Sequence, residues 1–377
     1  MLNKIAGVCV VGVLICVFGY AQRGDVFSDW RPNSDTRGVR YVGSKACVEC
    51  HAGQEQQLHT PMAEALEVAP DCSIVNARGR LTFKNGPYSY EISRQGKSVV
   101  YKVSDGAKNV STPILYCFGQ GHVGQTYLFR YNAVLYETRV SYFQKISKLD
   151  FTIGHRTSVP TSLEDALGRA IGGDEPQQCF GCHTTGAVQG VQLRLDQLNA
   201  GVGCEACHGP GEKHLVAAKA KKLAAKAEKL DALAIFNPGD LGALDLSQSF
   251  CGSCHTGFEQ AMLQPGQGGI NNIRFQPYRM FNSRGHNTND QRLGCVACHN
   301  PHEKLQTDAA YYDPKCLACH LTKRGDEKTT RRNADPCPVS SKQCVTCHMP
   351  KVELPGMHAT FTDHWIRIAR PGDPVPR

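Results

Sequence analysis

One five-residue word, C-x-x-C-H, occurs seven times in this chain, and it restricts the fold more than any other feature. The copies are Cys47, Cys50 and His51; Cys179, Cys182 and His183; Cys204, Cys207 and His208; Cys251, Cys254 and His255; Cys295, Cys298 and His299; Cys316, Cys319 and His320; and Cys344, Cys347 and His348. Fifteen His among 377 residues place a His after any given Cys in about 4% of cases by chance, so seven in succession are no accident. Positions i, i+3 and i+4 of a helical turn share one face, so each copy presents two thiols and an imidazole together. Six copies fall between residues 179 and 348. So little chain per motif cannot bury a conventional apolar core, and another group must fill the interior.

C-x-x-C-H is the attachment signal of c-type haem. The two thiols bond the porphyrin vinyl groups and the adjoining imidazole takes the iron. Zinc ribbons need paired modules and no following His, thioredoxin-like sites carry one motif beside a βαβ unit, and a disulfide framework has no use for the histidines. The reading is therefore seven covalently bound haem c groups, with His51, His183, His208, His255, His299, His320 and His348 as proximal iron ligands. The formal charge of +8 then misleads. With Lys4 lost in a cleaved N-terminal segment the charge is about +7, and fourteen propionates against seven ferric centres then bring the oxidised protein near neutrality and the reduced protein to roughly −7. No basic stripe with interleaved aromatics supports nucleic-acid binding.

Eight histidines remain: His59, His122, His155, His214, His286, His302, His358 and His364. A six-coordinate iron takes a second axial ligand, an imidazole or a Met thioether, so all eight are distal candidates. His302 follows His299 by three residues, a reach of at most about 10 Å. It cannot pass round its own porphyrin and should ligate a neighbouring haem. Near the first motif, His59 and Met62 fall at helical spacing and both stand as ligand candidates, with core packing the other reading of Met62.

The first 21 residues carry Lys4 as their one charge and an apolar run ending at Gly19 and Ala21. This reads as an export signal cleaved after Ala21, with an uncleaved membrane anchor as the alternative. Either places the chain in the periplasm or otherwise outside the cytoplasm, where oxidised thiols persist. Residues 22–70 form a first haem segment. Between Arg80 and Val140, runs rich in β-branched and aromatic residues alternate with turn signals at Asn85-Gly86, Gln95-Gly96 and Asp105-Gly106, which predicts a small antiparallel β domain over 71–157. Residues 158–178 read as a linker and 179–377 as a six-haem domain of short helices and loops. Cys72 and Cys117 flank much of the β segment and form one disulfide candidate; pairing of either with Cys337 is the other. The Lys-rich stretch after Glu212 reads as a solvated helix, with a docking surface for an acidic partner as the second reading.

C-x-x-C-H-G-P-G-x-x-H from Cys204 to His214, C-x-x-C-H-x-P-H from Cys295 to His302, and the terminal "CVTCHMPKVELPGMHATFTDHWIRI" resemble bacterial multihaem c-type cytochromes. These are related to the tetrahaem carriers of ammonia oxidisers and, more distantly, to pentahaem nitrite reductase and octahaem hydroxylamine oxidoreductase. The resemblance covers residues 41–62 and about 179–370. It implies exported proteins with stacked haem pairs and distal histidines matching His214 and His302. The chain lacks the C-x-x-C-K of pentahaem nitrite reductases, has seven motifs rather than eight, and adds a β segment absent from the small tetrahaem carriers. The expected function is electron transfer along closely spaced haems between redox partner proteins, some of them membrane-associated. The alternative is a reductase or oxidase of a small nitrogen or sulfur compound at an open-coordination haem, with the first haem as its expected place.

Overall fold

The computed structural model describes residues 39–190, 192–223, 234–264, 268–286, 288, 290, 292–320 and 337–377. The N-terminal segment read as an export signal, with Cys9 and Cys16, and the later part of the Lys-rich stretch lie outside the described residues.

Ten strands form one antiparallel sheet: β1 (Leu66–Val68), β2 (Arg80–Asn85), β3 (Tyr88–Gln95), β4 (Ser98–Ser104), β5 (Asn109–Phe118), β6 (Gly124–Tyr131), β7 (Val134–Thr138), β8 (Val140–Phe143), β9 (Lys148–Phe151) and β10 (Gly168–Ala170). The main path runs β10-β7-β6-β5-β4-β3-β2, with β1 on β5 and β8 pairing both β6 and β9. The expected turns sit where the strands reverse. Asn85 pairs Tyr88 and Gln95 pairs Ser98, so two residues close each hairpin, and Gly86 and Gly96 supply the positive φ that such turns need. At the third turn the Asp105 carboxylate accepts the amide hydrogens of Ala107 (2.9 Å) and Lys108 (2.6 Å). Alternation directs Tyr88, Tyr90 and Ile92 of β3 and Val99, Tyr101 and Val103 of β4 inward. There they meet Tyr127, Phe129 and Tyr142 in a single apolar cluster. Each large side chain so buried stabilises by about 1.5–3 kcal/mol.

The sheet extends beyond the expected bounds of 71–157. β1 precedes them, and the stretch read as a linker contributes β10 and a short helix, Leu163–Leu167. Ser162 Oγ caps that helix by accepting from the Asp165 amide (3.1 Å), and Ala166 and Leu167 join the sheet core. Five residues of weak pattern become ordered because the sheet covers their apolar side. The outcome is functional. β1 follows the first motif and β10 leads into the second, so the sheet holds together two motifs that are 132 residues apart.

The rest consists of short helices, loops and two-stranded hairpins. One hairpin, Lys351–Leu354 with Ala359–Thr362, docks on β8 and β9. His358 meets Asp150 (2.7 Å) and packs edge-on to Phe143 (5.1 Å), while Lys145 pairs with Glu353 (2.9 Å). Beyond the sheet, the apolar clusters of described residues are small: one around Phe180 beneath β1 and β6, and one of Ile273, Leu354 and Met357.

Candidate cofactor-binding site

Every motif lies on or at the end of a helical turn: Ser44–Val48, Glu175–His183, Cys204–His208, Gly252–His255 after the wide turn Asp245–Cys251, Cys295–Cys298, Asp313–His320 and Cys344–His348. The amides of His51 and His299 bond the carbonyls of Cys47 and Cys295, each at 2.9 Å. These bonds keep thiols and imidazole on one face.

Several imidazoles are oriented through Nδ1. That atom lies 3.0 Å from the Ala65 carbonyl in His183, 3.0 Å from Phe236 in His208, 2.9 Å from Arg367 in His348 and 3.0 Å from Thr362 in His364. A carbonyl only accepts, so the proton sits on Nδ1 and the Nε2 lone pair is left for a metal. Burial lowers the proton affinity of His183, His299 and His302, and pushes His364 down to about 4. Neutral imidazole is the ligating form.

Three pairs of imidazoles face one another at nearly one spacing. Ring centroids are 6.2 Å apart for His51 and His214, 6.1 Å for His208 and His302, and 6.2 Å for His299 and His364, with interplanar angles of 24°, 12° and 40°. With metal–nitrogen bonds of about 2.0–2.1 Å on each side, two imidazoles ligating one ion from opposite faces have centroids roughly 6 Å apart. The residues therefore fit an iron porphyrin threaded between each pair. His302 lies opposite His208 of another motif rather than its sequence neighbour His299. Among the described residues no group of three or more His, Cys, Asp or Glu side chains converges to hold a bare metal ion.

The remaining distal candidates are placed differently. His155 Nε2 is 3.0 Å from Glu137 Oε2, with its side chain 4% exposed, and Arg169 joins the same carboxylate. His358 Nε2 is held by Asp150. In both rings Nε2 faces a carboxylate in this structure. His286 packs on Phe281 at 4.9 Å. His59 ends the short helix Ala52–His59 and His122 lies in the loop before β6, both exposed. His183 meets Phe118 of β5 edge-on at 5.1 Å.

A buried ionic framework holds His364, and sequence reasoning missed it. Asp363 accepts from Arg279 Nε (2.9 Å) and a terminal guanidinium nitrogen (2.8 Å), from Arg367 (2.6 Å), and from the Trp365 amide (2.9 Å). Arg279 also reaches Asn272 and the Pro376 carbonyl, and lies over the Trp365 ring. Ser283 donates to the His364 carbonyl (3.1 Å) and accepts the Ile366 amide (2.8 Å). The signal available in the sequence was an Asp directly before a candidate His, which locates one partner and not the Arg.

Comparison with known families adds a match over residues 145–209, the stretch holding the second and third motifs. The matching family is described as cytochrome c554 and c-prime. This supports covalent haem c as the cofactor and a haem-based role in electron transfer. No curated protein matches the chain. Among solved structures, the outer cell wall cytochrome OcwA is similar at 17% identity and a TM-score of 0.31, over 57% of this chain and 37% of that one; the chain thus spans little more than a third of that cytochrome. Among the described residues, no helix is long and apolar enough to cross a membrane.

Proposed function

We propose that the chain is an exported seven-haem c-type cytochrome that passes electrons along closely spaced haems between redox partner proteins outside the cytoplasm, with membrane-associated proteins among them. The observation that carries this reading is the set of three facing imidazole pairs, each joining a motif histidine to one from elsewhere in the chain. His51 with His214, His208 with His302 and His299 with His364 would then be axial ligand sets. The bound haem supplies one-electron redox chemistry at each site. The chain's own contribution is to orient His208 and His364 through Nδ1, to favour the neutral ring by burial at His299, His302 and His364, and to keep neighbouring motifs close. The thiols support this closeness: Cys47 meets Cys204, Cys251 meets Cys295, and Cys316 meets Cys344, while Cys182 lies 3.7 Å from the Ser253 carbonyl, linking motifs two and four.

The second reading, a reductase or oxidase of a small nitrogen or sulfur compound, has its best place at motif two, because an aromatic edge from the sheet meets His183. It moves there from motif one, where His214 stands opposite His51. Carbon monoxide added to the fully reduced holoprotein separates the two readings. An electron carrier with every iron six-coordinate shows no spectral shift; a shift in the Soret band establishes an open iron and favours the enzyme. A holoprotein mass lacking seven added haems would refute both.

A further inference from the structure

Three motif helices receive their N-terminal cap from a different motif. The Cys204 amide donates to Ser44 Oγ (3.1 Å) and the Cys295 amide to Ser247 Oγ (3.1 Å). The Cys344 and Gln343 amides donate to the two Asp313 carboxylate oxygens, both at 2.8 Å. The first amides of any helix lack internal partners. The residues normally able to satisfy them are Gly203 and Gly294, which have no side chain, and Gln343, whose side chain makes no cap bond.

The acceptors of these caps occupy a recurring place. Ser44 and Asp313 stand three residues before the first Cys of their own motifs, Cys47 and Cys316. Ser247 stands four before Cys251, within the π-helical turn Asp245–Cys251, and a π turn accommodates one residue more than an α turn. All three side chains therefore sit about one turn ahead of a first thiol and bond the backbone of a partner's first thiol. Pair one/three is tied a second time. Glu205, 2% exposed and inside the third motif, accepts the amides of Val42 (2.8 Å) and Gly43 (2.7 Å) at the start of the first motif's helix.

We propose that Ser44, Ser247 and Asp313 are positioning residues that join the haem motifs in pairs, one with three, four with five and six with seven, by capping the partner's helix. This rests on the seven-haem reading above. By fixing two thioether anchors side by side, each cap sets the approach of two porphyrins and so the steps electrons take between them. Pair one/three skips motif two, so the order of haems in space differs from their order in sequence.

The test uses the mature holoprotein with Ser44→Ala, Ser247→Ala, Asp313→Ala and Asp313→Asn. Intact mass counts haems, spectroelectrochemical titration gives the midpoint potentials, and hydrogen exchange reports the amides at Cys204, Cys295 and Cys344. Each Ala variant is expected to shift the potentials of two haems while five hold, and to lose amide protection at the partner motif. Asp313→Asn, which keeps an acceptor oxygen, retains that protection. Selective loss of two haems in one Ala variant also supports the pairing. Unchanged potentials and protection in all three Ala variants overturn it, as do a shift shared by all haems and a loss of every haem. Wild-type protein without seven haems refutes the reading of function instead, before any variant is compared.

Discussion

Replacing Asp363 by alanine removes the acceptor of four hydrogen bonds and leaves Arg279 charged in a site where both side chains are 0% exposed. Asn272, the Pro376 carbonyl and the Trp365 ring remain around the guanidinium, and none carries a negative charge. Removing one partner of a buried ion pair costs about 3–5 kcal/mol. With a shift of about 2–4 °C per kcal/mol for a domain of this size, the melting temperature of the holoprotein should fall by roughly 10 °C. The effect is also local. His364 follows Asp363 in the chain and faces His299 at 6.2 Å, so loss of the framework should free that imidazole and, if the pair ligates an iron as proposed, turn one low-spin centre high-spin. Calorimetry of the holoprotein and electron paramagnetic resonance read the two effects. The double variant Asp363→Ala with Arg279→Met should recover much of the stability, since it removes the stranded charge. A fall of less than about 1 kcal/mol in the single variant, or a double variant less stable than the single, would refute the reasoning.

Three further outcomes are expected. His214→Ala, His302→Ala and His364→Ala should each add one high-spin centre to the resonance spectrum, whereas His155→Ala and His358→Ala should add none; equal spectra across the five variants would dismiss the facing pairs as ligand sets. The Asp313 carboxyl is held below the usual range by the amides of Cys344 and Gln343, so the unfolded chain takes up this proton at a higher pH than the folded one. The stabilisation is complete above the ordinary value of about 3.9 and is lost as the pH falls through the depressed folded value; protection of the Cys344 amide should fade there, while that of Cys204 and Cys295, capped by serines, should hold. The free thiols of Cys72, just before the helix Ser73–Arg78, and Cys117 of β5 are both 0% exposed and lie in one core cluster where they interact, so oxidation should close them into a disulfide that stabilises by roughly 3–4 kcal/mol. Thiol labelling of denatured, unreduced holoprotein should then find Cys337 alone, and labelling at Cys72 or Cys117 would rule the bridge out.

How much could be read in advance follows from the range of the signals. The turns at Asn85-Gly86 and Gln95-Gly96 were legible because a two-residue hairpin depends on the φ of its own glycine. The strands around Tyr90 and Tyr101 were legible because alternation is local. The short helix Leu163–Leu167 and β10 were read as linker, since only the covering sheet makes their few apolar residues cohere. His155 and His358 looked like spare ligands in the sequence. They carry the same ring as His214, and the difference lies in Glu137 and Asp150, which no local pattern places beside them. Ser44 and Asp313 stood in view three residues before a first Cys, but a cap is recognised by the helix it serves, and that helix belongs to another motif.

The amino-acid order alone determined what each motif brings, because two thiols and an imidazole at i, i+3 and i+4 share a face wherever the turn forms. Which imidazole stands opposite which, and which motif caps which, was decided only in three dimensions. His51 and His214, Ser44 and Cys204, and Arg279 and Asp363 meet across long stretches of chain, and helical periodicity carries no information beyond the next turn.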